Sequence, residues 1–275
     1  MSWNPGPAWL FCPADRPDRY LKALAVADVV ILDLEDAVAP THKPAARHTV
    51  KSLAEAGTLD LERTVVRVNG ASTPDHPRDV EVLRAAGVRV VMVAKCEGPG
   101  DLSALRDLKL IPLLESVHGI TRAGEIASAA GVAAVMWGAD DLVADLGGSS
   151  SRHGDGGYRD VARHARSVSL LAAKAAGHLA IDAVFMDIPD LDGLRSQCED
   201  AVAVGFDVTV AIHPSQVPVI RAAFAPTPQE IEQARRLLEA SAGGGVTTFD
   251  GRMVDGPIIK QAERVLIRAE SEGRL

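Results

Sequence analysis

The chain has 275 residues, 47% hydrophobic and 24% charged, the balance of an ordinary soluble enzyme. Its formal charge of −8 argues against general affinity for nucleic acid or an anionic membrane, so an anionic substrate needs locally placed Arg, Lys or a metal cation. Three scattered cysteines (Cys12, Cys96 and Cys198), with no signal-peptide pattern and no apolar run of about 18 residues, argue against a secreted disulfide scaffold, a zinc site or a membrane span and for a cytoplasmic protein.

Short apolar runs rich in Val and Ile recur along the chain, near 8–12, 29–35, 64–69, 90–95, 109–115, 132–138, 179–186 and 207–213. Runs apolar on both faces read as strands of a buried parallel sheet. Helical patterns fill the gaps: Pro17 to Ala27, Lys43 to Ala56, Pro77 to Ala86, Leu102 to Leu108, Thr121 to Ala130, Tyr158 to Ala176 and Leu191 to Val204. Pro44 suits a helix start, and Gly87, Gly131, Gly177 and Gly205 suit helix ends. About eight right-handed βαβ units predict an α/β fold, a (β/α)8 TIM barrel, over residues 1–225. Residues 226–275 form a C-terminal helical extension, with helices over Gln229 to Ala242 and Ile258 to Ala269 around the segment GGGVTTFDGRMVDGP. A Gly/Ser-rich segment, Gly147 to Gly157, follows the sixth strand and reads either as a surface loop or as a lid over substrate.

Most of these runs end in a charged residue, as the catalytic face of a barrel does. Glu115 and Asp141 end the fifth and sixth runs, and neighbouring strands bring carboxylates at equivalent heights together. Two carboxylates with waters suit Mg²⁺; salt-bridged rim acids are the competing reading. Glu35, Asp36 and Asp140 add acids nearby, which repel one another unless cations sit among them. Arg67 lies inside an apolar strand, so it pairs with Glu35 or Asp36, binds a carboxylate, or steadies a developing oxyanion. Lys95 is either a Schiff-base lysine or a neutralising cation. His213 contacts substrate or bonds the loop that Pro214 fixes. Asp187 reads as a helix cap or rim residue. Arg16 and Lys22 are candidate phosphate binders against the alternative of plain surface charge.

The segments LFCPADRPDR, VVILDLEDAV, KPAAR, VVRVN, LIPLLES, WGADDL, AIDAVFMD, DVTVAIHPSQ and FDGRMVDGP run in order across nearly the whole chain. They resemble the citrate lyase beta-subunit-like family, which belongs with the HpcH/HpaI aldolases and the malyl-CoA and citramalyl-CoA lyases. The resemblance implies a Mg²⁺-dependent carbon–carbon lyase (Mn²⁺ being an acceptable substitute) that works beside a coenzyme A thioester. It makes Glu115 and Asp141 the metal ligands and Arg67 the oxyanion residue. Glu35, Asp36 and Asp140 become supporting acids around the metal. Arg16 and Lys22 approach the coenzyme, with His213 near the substrate. Asp255, in MVDGP, matches the general acid/base that the lyases bring from an adjacent protomer, which implies a homotrimer or dimer of trimers. An acyl-CoA and a keto acid are the implied small-molecule partners. Aldol chemistry on a free 2-keto acid, or action on an acyl carrier protein, are the alternatives.

Overall fold

The computed structural model describes residues 5–241, 247–249 and 251–271. Eight parallel strands follow one another around a closed barrel. They are β1 (Ala8–Pro13), β2 (Val29–Asp33), β3 (Thr64–Val68), β4 (Val90–Val93), β5 (Lys109–Leu114), β6 (Ala134–Trp137), β7 (Leu179–Asp182) and β8 (Val208–Ala211). β1 pairs with both β2 and β8, which closes the ring and leaves no sheet edge.

The strands are apolar on both faces because one face fills the barrel and the other lies under helices. Side chains alternate with a period of two, so the interior set can be read directly. Trp9, Val29, Ile31, Val65, Val90, Met92, Ile111, Leu113, Ala134, Met136, Ile181, Val208 and Val210 form one buried cluster. The same parity, carried one step towards the C-terminal ends, reaches Asp33 on β2, Arg67 on β3 and Glu115 after β5. The inward face therefore changes from apolar to charged at the barrel mouth.

Nine helices are described over this stretch: α1 (Pro17–Val26), α2 (Lys43–Glu55), α3 (His76–Ala85), α4 (Val117–Thr121), α5 (Ala123–Ala127), α6 (Ala139–Asp145), α7 (Asp160–Ala175), α8 (Leu191–Val204) and α9 (Val217–Phe224). Prolines occupy the first turns of α1, α2 and α3, where a missing N–H is harmless. Gly205 ends α8 at φ +108°, a left-handed cap that a side chain would strain.

Several segments differ from the sequence reading. Residues 102–108 were expected as an α-helix; the chain instead forms a 3₁₀ helix, Pro99–Leu105, where Asp101 accepts the N–H groups of Glu97 and Gly98. The helix expected over 121–130 starts earlier, where Ser116 caps Gly119 N–H at 3.1 Å, and is broken at Arg122 into α4 and α5. The seventh strand stops at Asp182 rather than 186. That buried carboxylate takes the Trp137 indole N–H at 2.7 Å and the Arg166 guanidinium at 2.7 Å, and the chain leaves the sheet beyond it. Finally, neither α6 nor α9 was foreseen, and the first turn of α6 carries Asp140 and Asp141.

The chain divides into two compact units, Met1–Ile220 and Arg221–Leu275. In the second, α10 (Pro228–Ala240) begins with a capping box between Thr227 and Glu230. β9 (Thr247–Phe249) and β10 (Arg252–Val254) form an antiparallel pair before α11 (Gly256–Ser271). Ala234, Leu237, Val254 and Ala262 make this unit's core. Ala242, the run 243–246 and Asp250 lie outside the described residues. Among the described residues, no helix is long and apolar enough to cross a membrane.

Candidate active site

At the mouth of the barrel the register sets Asp33 beside Arg67 on adjacent strands. Asp33 is fully buried, and both of its oxygens face the Arg67 fork: Nε donates to Oδ1 at 2.7 Å and Nη2 to Oδ2 at 2.6 Å. The same oxygens accept the N–H groups of Glu35 at 2.9 Å and Ala37 at 3.0 Å, so the carboxylate is saturated. Nη1 of Arg67 lies 3.2 Å from Glu35 Oε2, and its Cζ stacks 4.7 Å above the Phe11 ring. Burial works against this guanidinium, but the Asp33 charge and hydrogen bonds outweigh it and hold it protonated. The reading that paired Arg67 with Glu35 or Asp36 is met by Glu35. Glu35 is a partner, Asp36 is not, and the principal partner, Asp33, was missed. The parity 29, 31, 33 was the signal that pointed inward to it.

Lys95 follows β4 and faces the acids. Its N–H donates to Glu115 Oε1 at 2.9 Å, and its ammonium donates to Asp36 Oδ2 at 2.8 Å and to Glu35. The ammonium also lies 3.9 Å from Asp141 Oδ1. Burial disfavours the charged amine, but the hydrogen bonds to Asp36 and Glu35 outweigh it, so the pKa is raised. A Schiff-base lysine needs a neutral amine, so this geometry favours the neutralising role. Burial raises the pKa of Glu35 despite Arg67 and Lys95; at Asp36, burial is outweighed by Lys95 and the pKa is lowered.

Glu115 is buried, and burial followed by the nearby Asp141 charge pushes its pKa up to about 8. Gly138 makes room for it: a Cβ there would meet Glu115 Cβ at 2.8 Å and Oε2 at 2.9 Å. Asp141 sits in the first turn of α6 rather than on a strand end, with its side chain 46% exposed. Among the described residues no three His, Cys, Asp or Glu side chains form a ready-made metal cage. Glu115, buried, and Asp141, half open and near enough for its charge to act on Glu115, offer only oxygen donors. That fits Mg²⁺, which keeps several waters and takes one or two protein carboxylates.

The other candidates are met one by one along the chain. Asp140 accepts a hydrogen bond from Ser151 Oγ at 2.7 Å, which fastens the loop after α6. That loop is further tied down by Arg152, whose guanidinium lies 3.8 Å over the Tyr158 ring and donates to the Gly156 carbonyl at 2.7 Å. Asn69, two residues beyond Arg67, donates to the Leu34 carbonyl at 2.9 Å and to Asp79 at 2.7 Å, locking the ends of β2 and β3 together. Arg16 is exposed just before α1. Lys22 is exposed on α1, 3.8 Å from Asp18. His213 is exposed, and its Nδ1 accepts the Ser215 N–H at 3.2 Å, the loop-bonding arrangement. Asp187 is exposed at the rim, and the cap of α8 is Asp190 instead. Asp255 lies in the second unit, partly buried, directly before α11.

A closed parallel barrel whose C-terminal mouth gathers carboxylates, a buried guanidinium and an ammonium defines a barrel enzyme. The chain belongs to the HpcH/HpaI aldolase/citrate lyase family, whose profile matches residues 8–214, and it is an enzyme of the lyase class. It is 53% identical over 265 residues to the citrate lyase subunit beta-like protein of Mycobacterium tuberculosis, covering 96% of each chain. It is 34% identical over 272 residues to a (3S)-malyl-CoA thioesterase of Cereibacter sphaeroides, covering 95% of this chain and 94% of that one. The crystal structure of CitE from Mycobacterium tuberculosis in complex with magnesium, acetoacetate and coenzyme A matches with a TM-score of 0.93 at 52% identity, covering 98% of this chain and 99% of that one.

Proposed function

We propose that this chain is a Mg²⁺-dependent carbon–carbon lyase acting on a 3-hydroxyacyl-CoA of the malyl, citramalyl or 3-hydroxy-3-methylglutaryl type, releasing acetyl-CoA and an oxo acid. The observation that carries the reading is the Glu115–Asp141 pair beside the Asp33-held guanidinium of Arg67 at the barrel mouth. The solved relative that binds magnesium, acetoacetate and coenzyme A supports it. Glu115 and Asp141 hold the ion, which when bound supplies a Lewis acid for the substrate's oxygens.

In the cleavage direction a base removes the proton of the 3-hydroxyl group. The C2–C3 bond breaks, a carbonyl forms at C3, and the electron pair passes into a thioester enolate. Arg67 faces that developing charge with its fork already locked by Asp33 and Glu35, so it is preorganised rather than recruited. Asp255, brought by the C-terminal extension of a neighbouring copy, protonates C2 to give the methyl group of acetyl-CoA. A homotrimer or dimer of trimers follows from that arrangement. Arg16 and Lys22 flank the entry to the coenzyme, and His213 lies at the substrate rim. Buried free thiols at Cys12, Cys96 and Cys198 support a reducing, cytoplasmic setting.

The 34% identity to a malyl-CoA thioesterase favours one second reading, hydrolysis of the thioester. Incubating the protein and Mg²⁺ with a panel of acyl-CoA thioesters separates the two. Release of acetyl-CoA with an oxo acid supports the lyase, release of free coenzyme A with an intact hydroxy acid supports the hydrolase, and no turnover of any thioester rejects both.

A further inference from the structure

Lys95 combines an unfavourable backbone with an unusually well-partnered side chain. It is the one non-glycine residue among the described residues with a positive φ, +50°, a conformation that L-residues adopt at a steric cost. Tertiary packing imposes it. Ala94 N–H donates to the Val68 carbonyl at 3.2 Å and Cys96 N–H to the Leu113 carbonyl at 3.1 Å, so the turn is stitched to strands on both sides. Two glycines admit it: a Cβ on Gly70 would meet the Ala94 carbonyl at 3.2 Å, and one on Gly119 would meet the Cys96 carbonyl at 2.6 Å. The result is that both ends of a single residue address the acids. The backbone N–H fixes Glu115 Oε1, and the ammonium gathers Glu35 and Asp36 while standing 3.9 Å from Asp141 Oδ1.

We propose that Lys95 is the positioning residue that sets how tightly the site holds its divalent cation, an inference that rests on the metal reading above. Its ammonium is a built-in monovalent cation in the same carboxylate cluster. It keeps Glu35 and Asp36 gathered when no ion is bound, and it repels an ion held by Glu115 and Asp141. A lysine that served only to stabilise the fold would make metal binding weaker when lost. A lysine that shares the acids with the metal makes binding tighter when lost. The sign of the change therefore separates the two roles.

The test is a Mn²⁺ titration of the free protein, followed by electron paramagnetic resonance, on wild type, Lys95→Met and Lys95→Arg. Removing a unit charge this close to a ligand oxygen, in a partly solvated site, should tighten Mn²⁺ binding by about tenfold in Lys95→Met. Lys95→Arg keeps the charge and should stay close to wild type. Lys95→Gly relieves the positive φ while removing the ammonium, so it should match Lys95→Met and serves if that variant does not fold. Equal or weaker Mn²⁺ binding in the uncharged variants overturns the role given to Lys95. Wild-type protein that binds no Mn²⁺, or binding that survives Glu115→Gln unchanged, overturns the metal reading itself.

Discussion

Asp33→Asn removes the charge under Arg67 with almost no change of shape. In the wild type, four donors saturate the two Asp33 oxygens: Nε and Nη2 of Arg67 at 2.7 and 2.6 Å, and the N–H groups of Glu35 and Ala37 at 2.9 and 3.0 Å. Whichever way the asparagine amide is turned, its NH₂ group faces one arm of the guanidinium and one backbone N–H, donor against donor. Asp33 is 0% exposed and the Arg67 side chain 12%, so the orphaned charge has little access to water. Breaking such a buried pair costs about 3–5 kcal/mol. At about 2–4 °C per kcal/mol for a unit of this size, the Tm should fall by roughly 6–20 °C. Turnover should fall by about 10²–10³-fold, because the guanidinium loses the partner that aims it. Thermal unfolding and kcat/KM on the active thioester measure both losses. Asp33→Asn combined with Arg67→Met should lose less stability than the two single changes added, since neither partner is then left buried alone. Single variants with wild-type Tm, or stability losses that simply add, would refute the reasoning.

Gly138→Ala should weaken Mg²⁺ binding by about 10–100-fold without altering any charge, because its Cβ would lie 2.8 Å from Glu115 Cβ and 2.9 Å from Oε2 and so push the carboxylate aside; calorimetric titration checks this. Arg152→Ala removes the stacking on Tyr158 and Phe185 and the bond to Gly156, and should cost roughly 1–2 kcal/mol while exposing 147–157 to thermolysin. The metal-free protein should lose stability as pH rises. Burial and Asp141 push Glu115 from 4.5 up to about 8, so across that window the folded state keeps a proton that the unfolded chain releases. Glu35, also raised by burial, reinforces the slope. The Tm measured in a chelator should fall from pH 5 to about 8 and Mg²⁺ should flatten the fall; a flat or rising profile in the chelator contradicts the assignment.

The barrel was legible because its strands are short apolar runs with helices between them, a pattern that composition and periodicity carry on their own. What escaped was whatever depends on pairing across strands or on a single side chain ending an element. Asp33 hid inside VVILDLED, where an acid before Leu34 reads as an interruption. Only the register with Arg67 shows it as a buried counter-ion. Strand β7 looked four residues longer because Ala183, Val184 and Phe185 are apolar, yet Asp182 ends it by taking Trp137 and Arg166. Helix α6 escaped because a single glycine separates it from β6, so Asp140 and Asp141 read as the charged end of a strand rather than the start of a helix. The expected meeting of Glu115 and Asp141 does not depend on that error, because the first turn of the helix follows directly on the strand next to β5, and the Asp141 charge acts on Glu115. Lys95 could be placed on the correct face but not assigned, because its partners lie up to 60 residues away in the chain.

The central claim is that two oxygens from Glu115 and Asp141 form a divalent-cation site. A calorimetric Mg²⁺ titration of wild type, Glu115→Gln and Asp141→Asn addresses it directly. A single saturable site in the wild type, with affinity reduced at least about tenfold in each variant, is the predicted result. Equal Mg²⁺ affinity in all three proteins would contradict it.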